Sequence, residues 1–248
     1  MTSEFKKEFT EKWIKYFGET ELPITFYFSD SDGGVENHTS DKQWSCFIAD
    51  IARVRKGTDL CFAPAALKCG GARRYLGYTD KLRPGFEYFL SCGNDQMEGE
   101  RYIKTPEMVN EFLERRKGIP VHTKNIILKR WDRLNENDNP EVVIFFAKPD
   151  VLAGLFTLAG FDMPGEDGVI TPFGAGCGSI VQYPLQEAER EKPRAVIGMF
   201  DLSARPYVKE NELSFAVPFK KFRTMVADMD ESFLITETWE KIKKRITK

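Results

Sequence analysis

One short motif occurs twice in this chain. Asp59-x4-Pro64-x4-Cys69-Gly70-Gly71-x3-Tyr75 returns 108 positions later as Asp167-x4-Pro172-x4-Cys177-Gly178-Ser179-x3-Tyr183, with five of 17 aligned positions identical. Unrelated stretches would share about one, since each residue type makes up only a few per cent of a chain. A duplicated unit narrows the choice of folds. Both copies need the same order of elements, and Cys69 and Cys177 are then expected in equivalent places.

The patterning around the motifs predicts that order. Residues 3–17 carry Phe5, Phe9, Trp13, Tyr16 and Phe17 at helical spacing. Residues 24–28 read as an aromatic, β-branched strand, and 29–34 as a loop. Residues 41–56 read as a second helix ending at Lys56-Gly57. A short strand (60–63) then leads to Cys69 and a helix over 72–76, with further strands at 85–90 and near 101–104 and a helix opened by Pro106. The second half runs in parallel: strand 142–146, helix 149–159 closed by Gly160, short strand 169–171, Cys177, strands 195–200 and 212–216, and a helix opened by Pro218. The expected fold is α+β, with internally duplicated mixed-sheet units packed with helices in a pseudo-two-fold arrangement. The N-terminal repeat spans 1–134 and the C-terminal repeat 135–248, joined at the polar stretch Asn135-Glu-Asn-Asp-Asn-Pro140 into one compact unit.

Composition excludes several classes. The 248 residues are 42% hydrophobic and 30% charged with a net charge of −2, which gives no reason to expect nucleic-acid or membrane binding. No apolar run is long enough for a membrane helix, and the first nine residues alternate in charge with no apolar core of a signal peptide. A cytoplasmic location is expected, and a homo-oligomer is compatible with the sequence. Five cysteines, none in a CxxC pair, suit reduced thiols and not a closed zinc site.

The chemistry expected of the motifs follows from their turns. A cysteine at the first turn of a helix meets free backbone N–H groups and the positive end of the helix dipole. Gly70 and Gly71 in one turn, and Gly174, Gly176 and Gly178 in the other, leave the backbone open to a ligand. Such turns suit a metal ligand or an anion cradle, with Arg74 and Arg205 as charge partners. Arg73, and the carboxylates Asp30, Asp32, Asp59, Asp167 and Asp201, are further polar candidates. Cysteine also packs as a small hydrophobe, and a glycine turn can serve close packing alone. Cys46 falls on the apolar side of helix 41–56, Cys61 in a buried strand and Cys92 in a turn. The two histidines, His38 and His122, limit any Cys–His pair to Cys69 or Cys177 with one of them.

At these residues the chain resembles the ArCR-type family, a cysteine-rich domain of unknown function (number 169). Leu22-Pro-Ile-Thr-Phe-Tyr-Phe28, Trp44-Ser-Cys46, the helix through Lys56-Gly57, Cys69-Gly-Gly-Ala-Arg-Arg-Tyr-Leu-Gly77 and the Cys177 region carry the resemblance. It implies Cys46, Cys69 and Cys177 as the cysteines to carry over, and no established activity. Many members have further cysteines in a Gly-Cys-x-Gly-Cys-Arg stretch. Here Gly198-Met-Phe-Asp-Leu-Ser-Ala-Arg205 has none, which counts against a four-thiolate iron–sulfur centre.

Three functional readings follow. The first is a protein that binds an anionic small molecule, a cofactor or a metal centre where the repeats meet, through Gly70, Gly71, Arg74, Gly176, Gly178 and Arg205, with Cys46, Cys69 and Cys177 as metal ligands. The second is a thiol-dependent enzyme with Cys69 or Cys177 as nucleophile. The third is a non-catalytic ligand- or protein-binding module whose cysteines only pack.

Overall fold

The computed structural model of the chain describes residues 1–38, 45–116, 118, 121, 123–165 and 167–247. Helix α1 (Ser3–Phe17) starts at Thr2, whose hydroxyl accepts the Phe5 N–H, and buries Phe9, Trp13, Tyr16 and Phe17. Strand β1 (Ile24–Ser29), helix α2 (Phe47–Arg55) and strand β2 (Leu60–Phe62) follow. The chain then leaves the sheet through α3 (Gly70–Tyr75), α4 (Phe86–Leu90), the hairpin β3 (Gly93–Asn94) and β4 (Met97–Glu98), and α5 (Pro106–Arg115). Strand β5 (Asn125–Arg130) brings it back. Next come β6 (Val142–Ala147), α6 (Pro149–Gly160), β7 (Val169–Ile170) and a π-helical turn (Gly178–Gln182) that runs into α7 (Tyr183–Ala188). Strands β8 (Ala195–Gly198) and β9 (Leu213–Pro218) and helices α8 (Phe219–Asp228) and α9 (Glu237–Ile246) complete the fold.

Among the described residues seven strands form one mixed sheet in the order β2-β5-β1-β6-β9-β8-β7. Its neighbours are antiparallel except β7 and β8. Successive side chains of a strand point to opposite faces, and the sheet separates two cores on that basis. Val142, Ile144 and Phe146 of β6 join Ile24 and Phe26 of β1 beneath α2 and α3. Val143, Phe145 and Ala147 enter the second core with Phe215 and Val217 of β9, beneath α1, α6, α8 and α9. The second core is strongly aromatic: Phe9 meets Trp131 edge-on at 4.8 Å and Trp13 stacks on Phe17 at 4.3 Å. Gly154 lets α6 lie flat on α9, since a Cβ there would stand 2.3 Å from the ring of Trp239.

The α+β class and most of the expected elements are present, with informative exceptions. Residues 85–90, expected as a strand, form α4. Gly85 adopts a left-handed φ of 75° before it, and Phe86 and Phe89 meet one turn apart at 5.9 Å. A run this short satisfies either period. The strand expected near 101–104 is absent: Arg101 sits at φ 57°, and the N–H groups of Tyr102 and Ile103 bond the Leu90 carbonyl. The expected order has no strand at 125–130, where β5 lies between β2 and β1. Helix α2 begins at Phe47, so Cys46 is its cap and not a residue of its apolar face. Residues 41–44 of that expected helix lie outside the described residues.

The expected pseudo-two-fold order does not extend to the helices. Strands β1 and β6 are antiparallel neighbours, so a two-fold relating them would stand perpendicular to the sheet and keep its faces. Yet α2 packs into one core and α6 into the other. The strands before the two cysteines lie at opposite margins of the sheet and differ in direction: β2 pairs antiparallel with β5, whereas β7 pairs in parallel with β8.

The expected joint at 135–140 is anchored in the structure. Asp138 is buried; its carboxylate accepts Lys129 Nζ at 2.9 and 3.0 Å, Tyr27 Oη at 2.5 Å and the Asn135 N–H at 2.8 Å. Lys129 is on β5 and Tyr27 on β1, so this loop closes the face of the sheet opposite α2. Removing one partner of a buried pair strands the other charge, at a cost of about 3–5 kcal/mol. Asp138→Ala is expected to lose that much stability in urea denaturation, and Lys129→Met/Asp138→Leu together much less. Equal losses for both proteins would show that the pair is not what holds the loop.

Candidate functional site

Three segments far apart in sequence place a cysteine at or beside the start of a helix on the same side of the sheet. Cys46 caps α2, and Cys69 caps α3, where its Sγ accepts the Ala72 N–H at 3.5 Å. Cys177 lies in the helical turn before Gly178–Gln182. Cys177 belongs to the core under α2 and α3, with Cys46 and Cys69 packed against it. Contact between α3 and the Cys177 turn is close: a Cβ on Gly178 would come within 2.9 Å of the Tyr75 ring.

The electrostatics of this group are those of crowded, poorly solvated acids. Burial pushes the Cys177 thiol well above its ordinary range, and Cys69, Asp201 and Cys46 push it the same way. Burial also raises Cys46, with smaller contributions from Cys69 and Asp201. Asp201 accepts the Gly176 N–H at 2.9 Å and, on its other oxygen, the Ser203 N–H and hydroxyl at 3.0 and 2.7 Å. A carboxylate from within the chain thus satisfies the free N–H at the head of the Cys177 helix.

The sequence-predicted partners are divided by the fold. Cys46, Cys69 and Cys177 all border the core under α2 and α3. The arginines do not join them as charge partners. Arg205 donates to the carbonyls of Glu212 at 2.6 Å, Lys209 at 3.2 Å and Glu210 at 2.8 Å, holding its own loop. Arg74 donates to the Asp80 carbonyl at 2.6 Å, and Arg73 to that of Leu67 at 2.6 Å. The glycines also separate. A Cβ on Gly70 would meet open space, and one on Gly71 only Cys69 Sγ at 3.7 Å, so this turn is free to admit a ligand. A Cβ on Gly176 would meet Ala204 and Met199, and one on Gly178 the Tyr75 ring, so these two glycines serve close packing. Gly174 is likewise closed by the Tyr183 hydroxyl.

Met199 was not singled out by the sequence. It is buried at 1% exposure with a left-handed φ of 67°, and its Sδ would stand 3.1 Å from a Cβ on Gly176. Composition gives no signal for such a residue. His38, expected in a polar loop, is buried. Its Nδ1 accepts from Arg53 at 3.2 Å, its Nε2 lies 3.6 Å from Asp50, and its ring faces Phe62 at 4.7 Å. These contacts commit His38 to α2 and β2; His122 lies outside the described residues. Among the described residues no group of three His, Cys, Asp or Glu side chains is arranged to hold a metal ion. No helix among them is long and apolar enough to cross a membrane.

Residues 15–228, from within α1 to the end of α8, match the model of a family described as Uncharacterised ArCR. The chain belongs to the Uncharacterised ArCR family. The expected family therefore holds over most of the chain, and it brings no activity with it. No curated protein and no solved structure matches the chain.

Thiolate is the reactive form of cysteine, and burial holds Cys177 as the thiol. The five free cysteines of this ArCR protein are therefore expected to alkylate in order of access. With iodoacetamide at pH 8, mass spectrometry of the folded protein should show Cys92 modified first and the half-buried Cys69 next. Cys177 should stay protected until the protein unfolds. Early labelling of Cys177 would mean that its turn opens in solution.

Proposed function

We propose that this ArCR protein binds a thiophilic cation, alone or as part of a small cofactor, at the junction of Cys46, Cys69 and Cys177. The single observation that supports this reading is that Cys46 and Cys69 pack against the core that holds Cys177 and, with the Asp201 carboxylate, act on its thiol electrostatically, while Arg74 and Arg205 are turned to backbone carbonyls. An anion would add negative charge beside Cys177 and Cys46, whose thiolates are already disfavoured by burial and by the neighbouring groups. A cation relieves that repulsion and stabilises the thiolates. The side chains are not grouped to hold an ion as they stand, so ligation requires the half-buried Cys46 and Cys69 to move, with open space at Gly70 beside Cys69. The like motif at the two turns supports a common origin for them, with the helices around them since diverged.

The thiol-enzyme reading is weaker. Its nucleophile would have to be Cys69, because burial disfavours the thiolate of Cys177 and Cys46.

Binding a cation to thiols releases their protons, so apparent affinity rises with pH for as long as the free thiols remain protonated. Because Cys177 and Cys46 are raised, that rise should run through pH 7 and continue above pH 8. Anaerobic titration of the full chain with Cd(II), followed by the ultraviolet thiolate-to-metal band, should give one equivalent bound with about two or three protons released. Cys69→Ser and Cys177→Ser should each abolish the band. No band in the parent protein, or a band that survives both substitutions, would overturn the proposal.

A further inference from the structure

We infer that the outer face of α6 binds a free medium-chain carboxylic acid, at a site on the opposite side of the sheet from the cysteines and independent of the cation reading. In α6 (Pro-Asp-Val-Leu-Ala-Gly-Leu-Phe-Thr-Leu-Ala-Gly) the polar side chains are Asp150 and Thr157 alone. A helix that covers a core from the surface needs an apolar stripe on one side and polar residues on the other. Val151, Gly154, Leu155, Leu158 and Ala159 supply the buried stripe. Pro149, Leu152, Ala153 and Phe156 form a second apolar stripe, at the spacing of one helix face, which the core does not cover. Phe156 is 53% exposed. Packing against the sheet accounts for the first stripe and leaves the second unexplained.

The second stripe is one wall of an open groove of about 370 Å³, and Ile197 of β8 and Leu213 of β9 line it from the sheet. From Pro149 to Phe156 the helix rises about 10 Å. Pockets for small molecules run from about 300 to 1,000 Å³ and are apolar with a few placed polar groups. An unbranched chain lying along α6 matches this volume and length, whereas a second copy of the protein would have to insert a ridge of the same shape.

The polar groups collect at one end. Asn211 is the one lining residue with a polar side chain, and its amide can donate two N–H bonds. Ala147 of β6 pairs with Leu213 of β9, so the register sets Lys148 and Asn211 at the same end of the groove. Lys148 is exposed and is paired with no acid among the described residues. Asp150, the acid nearest to it in sequence, is paired with Arg245 at 3.0 Å. An ammonium and an amide at the end of an apolar groove suit a carboxylate head with an apolar tail.

Calorimetric titration of the full chain with octanoate should show one saturable site, and each methylene removed from the acid should weaken binding about fourfold. Octanol, which has no charge, should bind more weakly than octanoate. Lys148→Ala should bring octanoate down to the level of octanol and leave octanol unchanged. Ala153→Phe fills the groove from its solvent side and should abolish binding of both. A diazirine analogue of octanoate, photolysed on the parent protein, depends on no variant and should label peptides from 149–156 or 211–213. No saturable octanoate binding, equal affinity for octanol, or labelling confined to other segments overturns the inference. So does a dimer in analytical ultracentrifugation that Ala153→Phe dissociates and octanoate does not, since the groove would then be an interface between copies. Cd(II) binding at the cysteines is read separately and should be the same in Ala153→Phe as in the parent protein.

Discussion

Strand β6 is buried along its whole length, and its six side chains divide between the two cores. It pairs with β1 on one side and β9 on the other, so the N-terminal and C-terminal strands meet on it. Each fully buried aliphatic or aromatic side chain contributes on the order of 1.5–3 kcal/mol relative to exposure. A strand of six such residues can only persist with helices on both faces, and everything else is arranged around that demand. The aromatic wall of α1, α8 and α9 answers it on one face. Helices α2 and α3 with the Cys177 turn answer it on the other.

Polar groups buried by this arrangement are paired across sequence-distant segments. Lys129, Asp138 and Tyr27 close one region of the sheet. Arg55, at the end of α2, reaches Glu212 at 2.6 Å and Glu21, with its guanidinium 4.4 Å above the Phe146 ring. Such groups fix register more than they add net stability, because desolvation offsets most of their attraction. Arg55 in particular ties α2, and with it Cys46, to the start of β9.

The cysteine junction is a product of the same layering. Three helix starts bring their cysteines to one face of the sheet, and burial there keeps at least two of the thiols protonated. A lone, low-pKa nucleophile needs a nearby cation or an accessible helix end. At Cys177 the helix end is filled by Asp201, and the neighbouring charges are negative. That environment suits a bound cation and disfavours an activated thiol.

Much of the local structure could be read from the chain. Caps and periodicity placed α1, α6 and α8, and β-branched runs placed β1, β6 and β9, because these signals come from neighbours within a few residues. Strand β5 was not legible, since Ile126, Ile127 and Leu128 make too short a run between Lys124-Asn125 and Lys129-Arg130 to signal either period. Helix α4 was misread for the same reason. The motif singled out Cys69 and Cys177, and family resemblance added Cys46; their meeting required the sheet. The expected pseudo-two-fold order is not shown, because the helices before the two motifs, α2 and α6, cover opposite faces of the sheet, which a local motif does not fix. The sequence alone determined the α+β class, the helix-cap turns and which cysteines to watch. Tertiary structure alone decided that those cysteines border one core, with Asp201 close to the Cys177 turn, and that Arg74 and Arg205 bond backbone carbonyls instead. The reason is physical: burial, charge environment and the satisfaction of polar groups depend on contacts between segments that no local pattern records.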